Sequence, residues 1–338
     1  MLRLQQNGGT PDARQGRGLE QLRVAGDRGD DLPRPFYLRD GHELSHLTNH
    51  IAQIADSVLA VPELPEIRAH AERLDRDFAG HVLNGFRALS FTALKTVTPP
   101  TDDAEGSTLE RVTSRGKYLL LELSPLTFAV HLMQGGRLRP DTKKSPRPRG
   151  GLARWEFTDG RALLLSEAGS EKRAGVWTLP DSSDDNEPLS ELGPEADGVS
   201  VEALEAMLRS NSGRVHGFLR DQTNLAGLGR RLANEACHRA RLSPFANTSK
   251  LTDVEVLALH TAIKSTIDES LAYERSREDM SSSKERPGSV HNRGGESCPV
   301  CTDKVRSVEY SAYTVFYCPT CQTGGRILAD NTTSRFLK

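Results

Sequence analysis

The hydrophobic pattern of the chain changes abruptly near Pro62. Residues 1–60 are rich in Gly, Arg, Asp and Gln and show no sustained period, which is typical of disordered chain or of sequence outside the folded protein. From Pro62 the apolar residues recur at helical spacing, and Gly80 stands where such a helix would end. The apolar positions are Leu64, Ile67, Leu74 and Phe78. The pattern predicts a leading amphipathic helix that ends at Ala79.

Short apolar runs typical of β-strands follow this helix. They are LERVTSRGKYLLLEL, FAVHLM and ARWEFTDGRALLLSE, and the last of them contains Asp159-Gly160 as a hairpin turn. Residues 62–180 are therefore predicted to form a β-rich domain behind a leading helix. Residues 181–197 hold seven acidic residues and no basic one, and we interpret them as a linker.

The second half of the chain has the spacing of helices. The runs are VEALEAMLR, GRVHGFLRDQTNLAGLGRRLANEACHRARL and LTDVEVLALHTAIKSTIDESLAYERS. They predict a helical domain over residues 198–283. Residues 276–297 are rich in Ser, Gly and charge and are interpreted as a loop, and residues 284–338 as a small β-like domain with a tail.

Composition limits the class of protein without naming it. The 338 residues are 36% hydrophobic and 27% charged, with a formal net charge of −2, so the overall charge does not indicate nucleic acid. The stretch from Gly229 is nevertheless rich in arginine, and local charge can matter when the total averages to zero. No apolar run approaches the roughly 18 residues of a membrane helix, and no apolar segment near Met1 indicates a secretory signal. We therefore expect no membrane contact and a reducing, cytoplasmic compartment.

Four of the five cysteines form two closely spaced pairs. Cys298 and Cys301 are separated by two residues, as are Cys318 and Cys321, and sixteen residues lie between the pairs. This spacing is typical of a four-cysteine zinc ribbon, in which each pair supplies two thiolates to one ion. The alternatives are a pair of disulfides and thiols that are unrelated to one another. A site with four protein ligands is closed, so the zinc ion would be structural. Cys237, alone on a predicted helix, is interpreted as a core residue.

A second motif lies between two predicted helices. The stretch DQTNLAGLG, from Asp221 to Gly229, combines a tight turn with the start of a helix. Backbone N–H groups at a helix start can bind a phosphate. An ordinary connection between two helices is the alternative, and the motif alone does not decide between them.

Four motifs occur in a distinctive order: PELPE near Pro62, RGKYLLLEL, DQTNLAGLG and the paired cysteines. This arrangement, over residues 62–322, resembles the formamidopyrimidine-DNA glycosylase and endonuclease VIII family of base-excision repair enzymes. The resemblance implies an α+β multidomain fold with an N-terminal β-sandwich, a helix–two-turns–helix domain and a C-terminal zinc finger. It also implies a monomeric bacterial enzyme, associated with the nucleoid, whose partner is damaged double-stranded DNA.

The resemblance gives Pro62 a role that needs a free chain end. In such enzymes the proline after the initiator methionine attacks the sugar through its secondary amine. An α-amine titrates near pH 8, so a useful fraction is unprotonated at neutral pH, whereas a proline nitrogen inside a peptide bond has no such lone pair. Either Val61 is the translation start and the residues before it are not part of the native protein, or the extension is real and the protein is non-catalytic unless processed. The abrupt start of the motif favours the first interpretation.

Three further residues would complete the active site by resemblance. Glu63 would protonate the opening deoxyribose or the departing base, although a carboxylate at a helix start is also favoured by the helix dipole. Glu66 would help to shape the same pocket. Lys117 matches the family lysine that contacts a DNA phosphate and assists elimination. Without the resemblance, a single lysine on a strand would be interpreted as solvent-facing.

The chain departs from the family pattern at two phosphate-binding positions. Arg230 stands where the family has an asparagine after the glycine turn, and an arginine can still bind phosphate. Tyr313 stands where the family usually has an arginine in the zinc hairpin. This replacement predicts weaker phosphate clamping and a weaker second (δ) elimination. Arg306 and Arg326 are the alternatives for that missing charge, although no motif supports either.

The residues expected to fill the gap left by a flipped base also differ from those of 8-oxoguanine enzymes. Gln134, in HLMQGG, would be the wedge, and Lys172 begins a KRAG stretch that lacks the usual phenylalanine. These residues point to an oxidised pyrimidine, an abasic site or a less usual lesion. The leading hypothesis is a bifunctional glycosylase and abasic-site lyase. The alternatives are a non-catalytic protein that binds damaged DNA and a zinc-ribbon regulatory or scaffold protein.

Overall fold

The computed structural model describes residues 61–169, 171–281, 285–310 and 313–328. The extension considered above, apart from Val61, and the tail beyond Leu328 lie outside the described residues. None of the helices in the described part of the chain combines the length and the apolarity that a membrane crossing requires.

The predicted leading helix is present. Helix α1 spans Leu64–Phe78, with Glu63 as its N-cap and Pro65 in its first turn, where a missing N–H costs nothing. Its apolar face is buried against the strands that follow. The chain leaves the helix through Gly80, whose φ of +86° suits glycine.

Eight antiparallel strands form two four-stranded sheets, as a β-sandwich requires. The strands are β1 Leu83–Ala88, β2 Leu109–Arg115, β3 Tyr118–Leu123, β4 Thr127–His131, β5 Gly136–Pro140, β6 Gly151–Phe157, β7 Ala162–Glu167 and β8 Gly175–Leu179. One sheet has the order β1-β6-β7-β5 and the other β2-β3-β4-β8. The run LERVTSRGKYLLLEL is a β2–β3 hairpin, and its turn contains Lys117.

The two sheets share one apolar core. The side chains of Phe86 and Phe128 stack with ring centroids 5.1 Å apart, and Trp155 meets Phe128 edge-on at 5.7 Å. The predicted hairpin between β6 and β7 is present, and Gly160 in its turn has a φ of +85°. The short apolar runs that predicted these strands therefore fill the interior of one sandwich.

Four helices form the second domain. They are α2 Val201–Ser210, α3 Val215–Arg220, α4 Arg230–Arg239 and α5 Asp253–Arg275. The side chain of Thr252 caps α5 and pairs with Glu255 in a capping box. The connection between α3 and α4 is the DQTNLAGLG motif. Leu64 of α1 packs into the core of this domain, so the start of α1 lies between the sandwich and the helices.

The C-terminal part is a small ribbon. Strands β9 Arg306–Glu309 and β10 Thr314–Tyr317 pair antiparallel, and helix α6 spans Pro319–Thr323. The acidic segment 181–197 is fixed to the sandwich and to α1 by ion pairs, and the pair to α1 joins Arg68 to Asp197 at 2.5 Å. Arg115 contacts Asp184 at 2.9 Å and Glu195 at 3.3 Å. These contacts hold the β2–β3 turn, and therefore Lys117, in place.

Candidate active site

One cavity of about 600 Å³ collects most of the residues singled out from the sequence. It is bounded by the start of α1, the turns of the sandwich, the α3–α4 connection and the C-terminal ribbon. The predicted site residues that line it are Glu63, Glu66, Lys117, Gln134, Arg230 and Tyr313. Residues from three domains therefore converge on one space, as a site for a large ligand requires.

The carboxylate of Glu63 binds the start of a different helix from its own. Its Oε1 accepts a hydrogen bond from the backbone N–H of Arg231 at 2.9 Å, and its Oε2 accepts one from Leu232 at 3.0 Å. Both donors lie in the first turn of α4, where backbone N–H groups have no partner within the helix. The helix dipole adds to this attraction. Glu63, buried beside Pro62, is therefore held in one position by the second domain.

The glycines of the GLG turn make this contact sterically possible. A Cβ on Gly229 would lie 2.4 Å from Oε1 of Glu63, and a Cβ on Gly227 would lie 2.7 Å from a methyl group of Leu64. Gly227 also has a φ of +97°. The sequence suggested that this helix start could bind a phosphate. In the structure the N–H groups of Arg231 and Leu232 bind Glu63 instead, because the start of α1 occupies that position.

Glu66 belongs to a buried network of charges. Its Oε1 lies 2.7 Å from Nη1 of Arg286, and its Oε2 accepts a hydrogen bond from the backbone N–H of Glu63 at 3.1 Å. Burial raises the pKa of Glu66 to about 6, although Arg286 opposes the shift. Glu66 thus fixes the backbone beside Pro62 in addition to lining the cavity. Arg286 lies in the segment that the sequence marked only as a loop, so its role was missed.

Lys117 is placed by the tight turn between β2 and β3. Gly116 has a φ of +57°, and its N–H donates to Oε1 of Glu195 at 2.6 Å. Burial lowers the pKa of Lys117 to about 8, and Arg220 lowers it further while Glu63 opposes the shift. Lys117 is therefore partly uncharged near neutral pH in the free protein. It faces the cavity rather than bulk solvent, in agreement with the family resemblance.

The two residues expected to act at the flipped base are placed differently. Gln134, in the connection between β4 and β5, lines the cavity. Lys172 is exposed and lies outside the described cavity lining. The structure therefore brings Gln134 to the site and leaves Lys172 on the surface.

Tyr313 forms part of a stack of rings on the ribbon side of the cavity. Its ring centroid lies 4.8 Å from that of Tyr310, with 14° between the planes. The guanidinium carbon of Arg220 lies 4.0 Å from the centroid of the Tyr313 ring. Arg220 is the last residue of α3, and the sequence analysis did not single it out. Its position directly before DQTNLAGLG was the signal that could have identified it.

The four paired cysteines lie close together in the reduced form. None of the five cysteines forms a disulfide, which contradicts the disulfide alternative. The sulfur atoms of Cys298 and Cys321 are 3.9 Å apart, and those of Cys301 and Cys318 are 3.3 Å apart. A tetrahedral zinc ion with Zn–S bonds of about 2.3 Å needs sulfurs roughly 3.8 Å apart. The cluster therefore fits a four-coordinate zinc ion. Cys237 is buried in the helical core, as predicted.

A histidine that the sequence did not indicate lies at the metal cluster. Nε2 of His238, on α4, is 3.3 Å from the sulfur of Cys298. The ligand atoms of His238, Cys298, Cys318 and Cys321 lie within 4.8 Å of one another. His238 thus links the ribbon to the helix whose start binds Glu63.

Two family models match the chain. The formamidopyrimidine-DNA glycosylase N-terminal domain matches residues 61–169, and the H2TH domain of the same enzymes matches residues 192–282. Among solved structures, the Lactococcus lactis formamidopyrimidine-DNA glycosylase bound to DNA with an AP site is 22% identical, with a TM-score of 0.67. The match covers 77% of this chain and 99% of that one. MutM in complex with DNA containing carbocyclic 8-oxo-G is 21% identical, with a TM-score of 0.68 and coverage of 78% and 100%. These likenesses confirm the fold.

Two curated relatives extend the comparison in sequence. An uncharacterised formamidopyrimidine-DNA glycosylase-like protein of Mycobacterium tuberculosis is 40% identical over 149 residues, which are 44% of this chain and 94% of that protein. The formamidopyrimidine-DNA glycosylase of Pelotomaculum thermopropionicum is 30% identical over 275 residues, which are 78% of this chain and 99% of that enzyme. With the matching domains, the sandwich, the helical domain and the four-cysteine cluster all in place, the chain belongs to the formamidopyrimidine-DNA glycosylase family.

Proposed function

We propose that this protein is a DNA glycosylase with abasic-site lyase activity, and that its nucleophile is the amine of Pro62 in a form of the chain that begins there. The observation that carries the proposal is the convergence of Glu63, Glu66 and Lys117 on one cavity, which is also lined by Val61, the residue before Pro62. Damaged double-stranded DNA is the proposed partner. The Pelotomaculum relative, named as a formamidopyrimidine-DNA glycosylase, supports this substrate class.

The first chemical step is attack of the Pro62 nitrogen on C1′ of the damaged nucleotide. The bond between C1′ and the base breaks, and the base leaves with its electron pair and takes up a proton. The amine loses its own proton, and the carboxylate of Glu63 is placed to accept it. Two backbone donors hold the carboxylate in position, and the proton that it accepts from the amine passes to O4′ as the bond between C1′ and O4′ breaks and the sugar ring opens. The product is an iminium ion between Pro62 and C1′.

The second step uses the iminium ion as an electron sink. Removal of a proton from C2′ moves an electron pair toward C1′, and the bond between C3′ and its phosphate oxygen breaks. The departing phosphate carries negative charge, which Lys117 is placed to neutralise in its protonated form. Water then hydrolyses the iminium ion, which releases the sugar fragment and regenerates the Pro62 amine. Glu66, through its bond to the N–H of Glu63, would keep the nucleophile in position.

The C-terminal cluster has a separate task. We propose that Cys298, Cys301, Cys318 and Cys321 hold one structural zinc ion. The ion would fix the hairpin that carries Tyr310 and Tyr313 into the cavity wall. Arg230 and Gln134 are proposed to contact DNA, and Lys172 to contact it from the surface outside the cavity. We also propose the domain boundaries. The extension ends at residue 61, the β-sandwich domain at 180, the acidic linker at 197 and the helical domain at 283.

A protein that binds damaged DNA without catalysis is the second candidate. The observation that favours it is that Pro62, in the sequence as numbered, follows Val61 in a peptide bond. A proline nitrogen in that state cannot attack a sugar. The zinc-ribbon scaffold hypothesis leaves the arrangement of Glu63, Glu66 and Lys117 unexplained.

Borohydride trapping on an abasic duplex separates the two candidates. The test compares a chain that begins at Met1 with one that begins at Pro62, because only an amine nucleophile gives a reducible covalent intermediate. We expect an adduct with the Pro62 form and none with the Met1 form. Zinc-loaded Pro62 protein that binds the duplex without forming an adduct would establish the non-catalytic alternative.

A further inference from the structure

The ribbon side of the cavity carries a positive charge even though Tyr313 stands where the family usually has an arginine. The guanidinium group of Arg220 lies over the ring of Tyr313, 4.0 Å from its centroid, and Tyr310 stacks behind that ring. A cation over the face of an aromatic ring is attracted by the negative potential of that face. The two stacked tyrosines of the ribbon therefore form an aromatic support for an arginine that comes from the helical domain.

Arg220 is available for an anionic ligand. It lines the cavity together with Lys117 and Arg230, and none of these three side chains forms an ion pair with an acidic side chain of the described residues. Other arginines near the site are paired, as Arg286 is with Glu66. Arg220 and Arg230 therefore bring positive charge to this cavity, and Lys117 adds to it in its protonated form. Glu63, Glu66 and Glu309 line the same cavity, but none of them forms an ion pair with Arg220 in the described part of the chain, so Arg220 can bind a phosphate.

The neighbouring histidine does not take this role. The ring of His216 is nearly parallel to that of Tyr313, with the two ring centroids 6.2 Å apart. Burial lowers the pKa of His216 to about 3, and Arg220 and Arg230 lower it further. His216 is therefore neutral at physiological pH, and the charge at this position comes from Arg220.

We propose that Arg220, held on the ring of Tyr313, binds a backbone phosphate of the DNA next to the reacting nucleotide. This inference rests on the proposed function and adds a residue to it. A cation–π contact uses none of the N–H groups of the guanidinium, so they stay free to donate to two phosphate oxygens. Tyr313 then acts as a positioning residue for Arg220.

The two substitutes considered from the sequence do not reach this position. Arg306 lies on β9 and borders a different hollow of the ribbon, and Arg326 is exposed outside the described cavity lining. The sequence comparison suggested that Tyr313 removes a charge from the site. In the structure, the charge comes from a residue 93 positions earlier in the chain.

The experiment measures binding of a duplex with a tetrahydrofuran abasic analogue as a function of salt concentration. Each phosphate contact contributes about 0.9 to the slope of log K against log salt. Arg220→Gln should lower the slope by about that amount and weaken binding by about 10-fold at 100 mM salt, whereas Arg220→Lys should keep the slope. Arg87→Gln, on the exposed part of β1, is the matched charge control and should change neither quantity.

A double-mutant cycle tests the role of the ring. Tyr313→Phe keeps the ring and should bind as the wild type does, whereas Tyr313→Leu should weaken binding. In the Arg220→Gln background, Tyr313→Leu should cost nothing more. An unchanged slope in Arg220→Gln, or a slope that falls in Arg306→Gln instead, would overturn the inference.

The same variants separate this inference from the proposed function. If the wild-type Pro62 form is trapped by borohydride while Arg220→Gln binds with an unchanged slope, Arg220 has been assigned wrongly and the lyase assignment stands. If no form is trapped but the slope still depends on Arg220, the phosphate site stands and the catalytic proposal fails.

Discussion

Gly229 gives the sharpest test of how the site is built. A Cβ at this position would lie 2.4 Å from Oε1, 2.5 Å from Cδ and 2.8 Å from Cγ of Glu63. Gly229 itself has an ordinary negative φ of −126°, so Gly229→Ala introduces no backbone strain. Its whole effect must come from contact with the Glu63 side chain, which has to move by about 1 Å to restore an ordinary contact distance of about 3.4 Å.

The size of the effect follows from the two hydrogen bonds that Glu63 makes. Each bond between a backbone N–H and a carboxylate contributes about 1.5–3 kcal/mol. Moving the carboxylate weakens both bonds and leaves two N–H groups of α4 poorly paired. We expect Gly229→Ala to lower the free energy of unfolding by about 2–4 kcal/mol. We also expect about 100-fold slower cleavage of an abasic duplex, since a displacement of about 1 Å can cost that much.

The assays are urea unfolding and single-turnover cleavage by the Pro62 form. Gly217→Ala is the matched control, because a Cβ on this glycine of α3 would meet no atom within 4 Å. That variant should gain about 0.5–1 kcal/mol, as alanine does over glycine in a helix. In a Glu63→Ala background, Gly229→Ala should cost almost nothing. An equal loss of stability in both backgrounds would refute the contact between Gly229 and Glu63 as the cause.

Three further predictions concern charge, metal and the chain start. The pKa of Lys117 is near 8 because of burial, so its side chain is cationic below that pH and neutral above it. Affinity for an abasic duplex at constant salt should therefore fall from pH 7 to pH 9. A fall of the same size in Lys117→Arg would exclude Lys117 as its source. Metal analysis of reduced protein should give about one zinc per chain. Cys318→Ser should release the zinc and weaken DNA binding while the sandwich stays folded. A metal-free wild-type protein that binds DNA normally would argue against the zinc site. Mass spectrometry of the protein from its native cell should show a chain that begins at Pro62, and a fully active protein with an intact Met1 would contradict the start-site proposal.

The regular parts of the fold follow from local patterns in the sequence. The helical spacing after Pro62 predicts α1, and Gly80 predicts its end. The Asp159-Gly160 turn predicts the β6–β7 hairpin, since the residues that form it are adjacent in the chain. The two cysteines of each pair are also near neighbours in the chain, and the β9–β10 hairpin between the pairs brings all four together. In each case the signal and the structure involve neighbours that the backbone geometry brings together directly.

The contacts that complete the site join residues far apart in the chain. Glu63 binds backbone N–H groups 168 and 169 positions later, and Arg220 lies on the ring of Tyr313. No periodic pattern in the sequence predicts either contact, because each depends on how the domains pack. The sequence indicated six of the residues that line the cavity, but it missed Arg220 and Arg286 and included Lys172, which lies outside the described lining. It did not show that the GLG turn receives a carboxylate, nor that a tyrosine supports an arginine.

The central claim is that the Pro62 amine is the nucleophile, and the residue that carries the trapped adduct tests it most directly. The Pro62 form would be trapped with borohydride on an abasic duplex, digested with nuclease and protease, and sequenced by tandem mass spectrometry. We predict the sugar remnant on the nitrogen of Pro62. Lys117 faces the same cavity with a pKa near 8, so it is the other amine that could react. A remnant on Nζ of Lys117 would contradict the account.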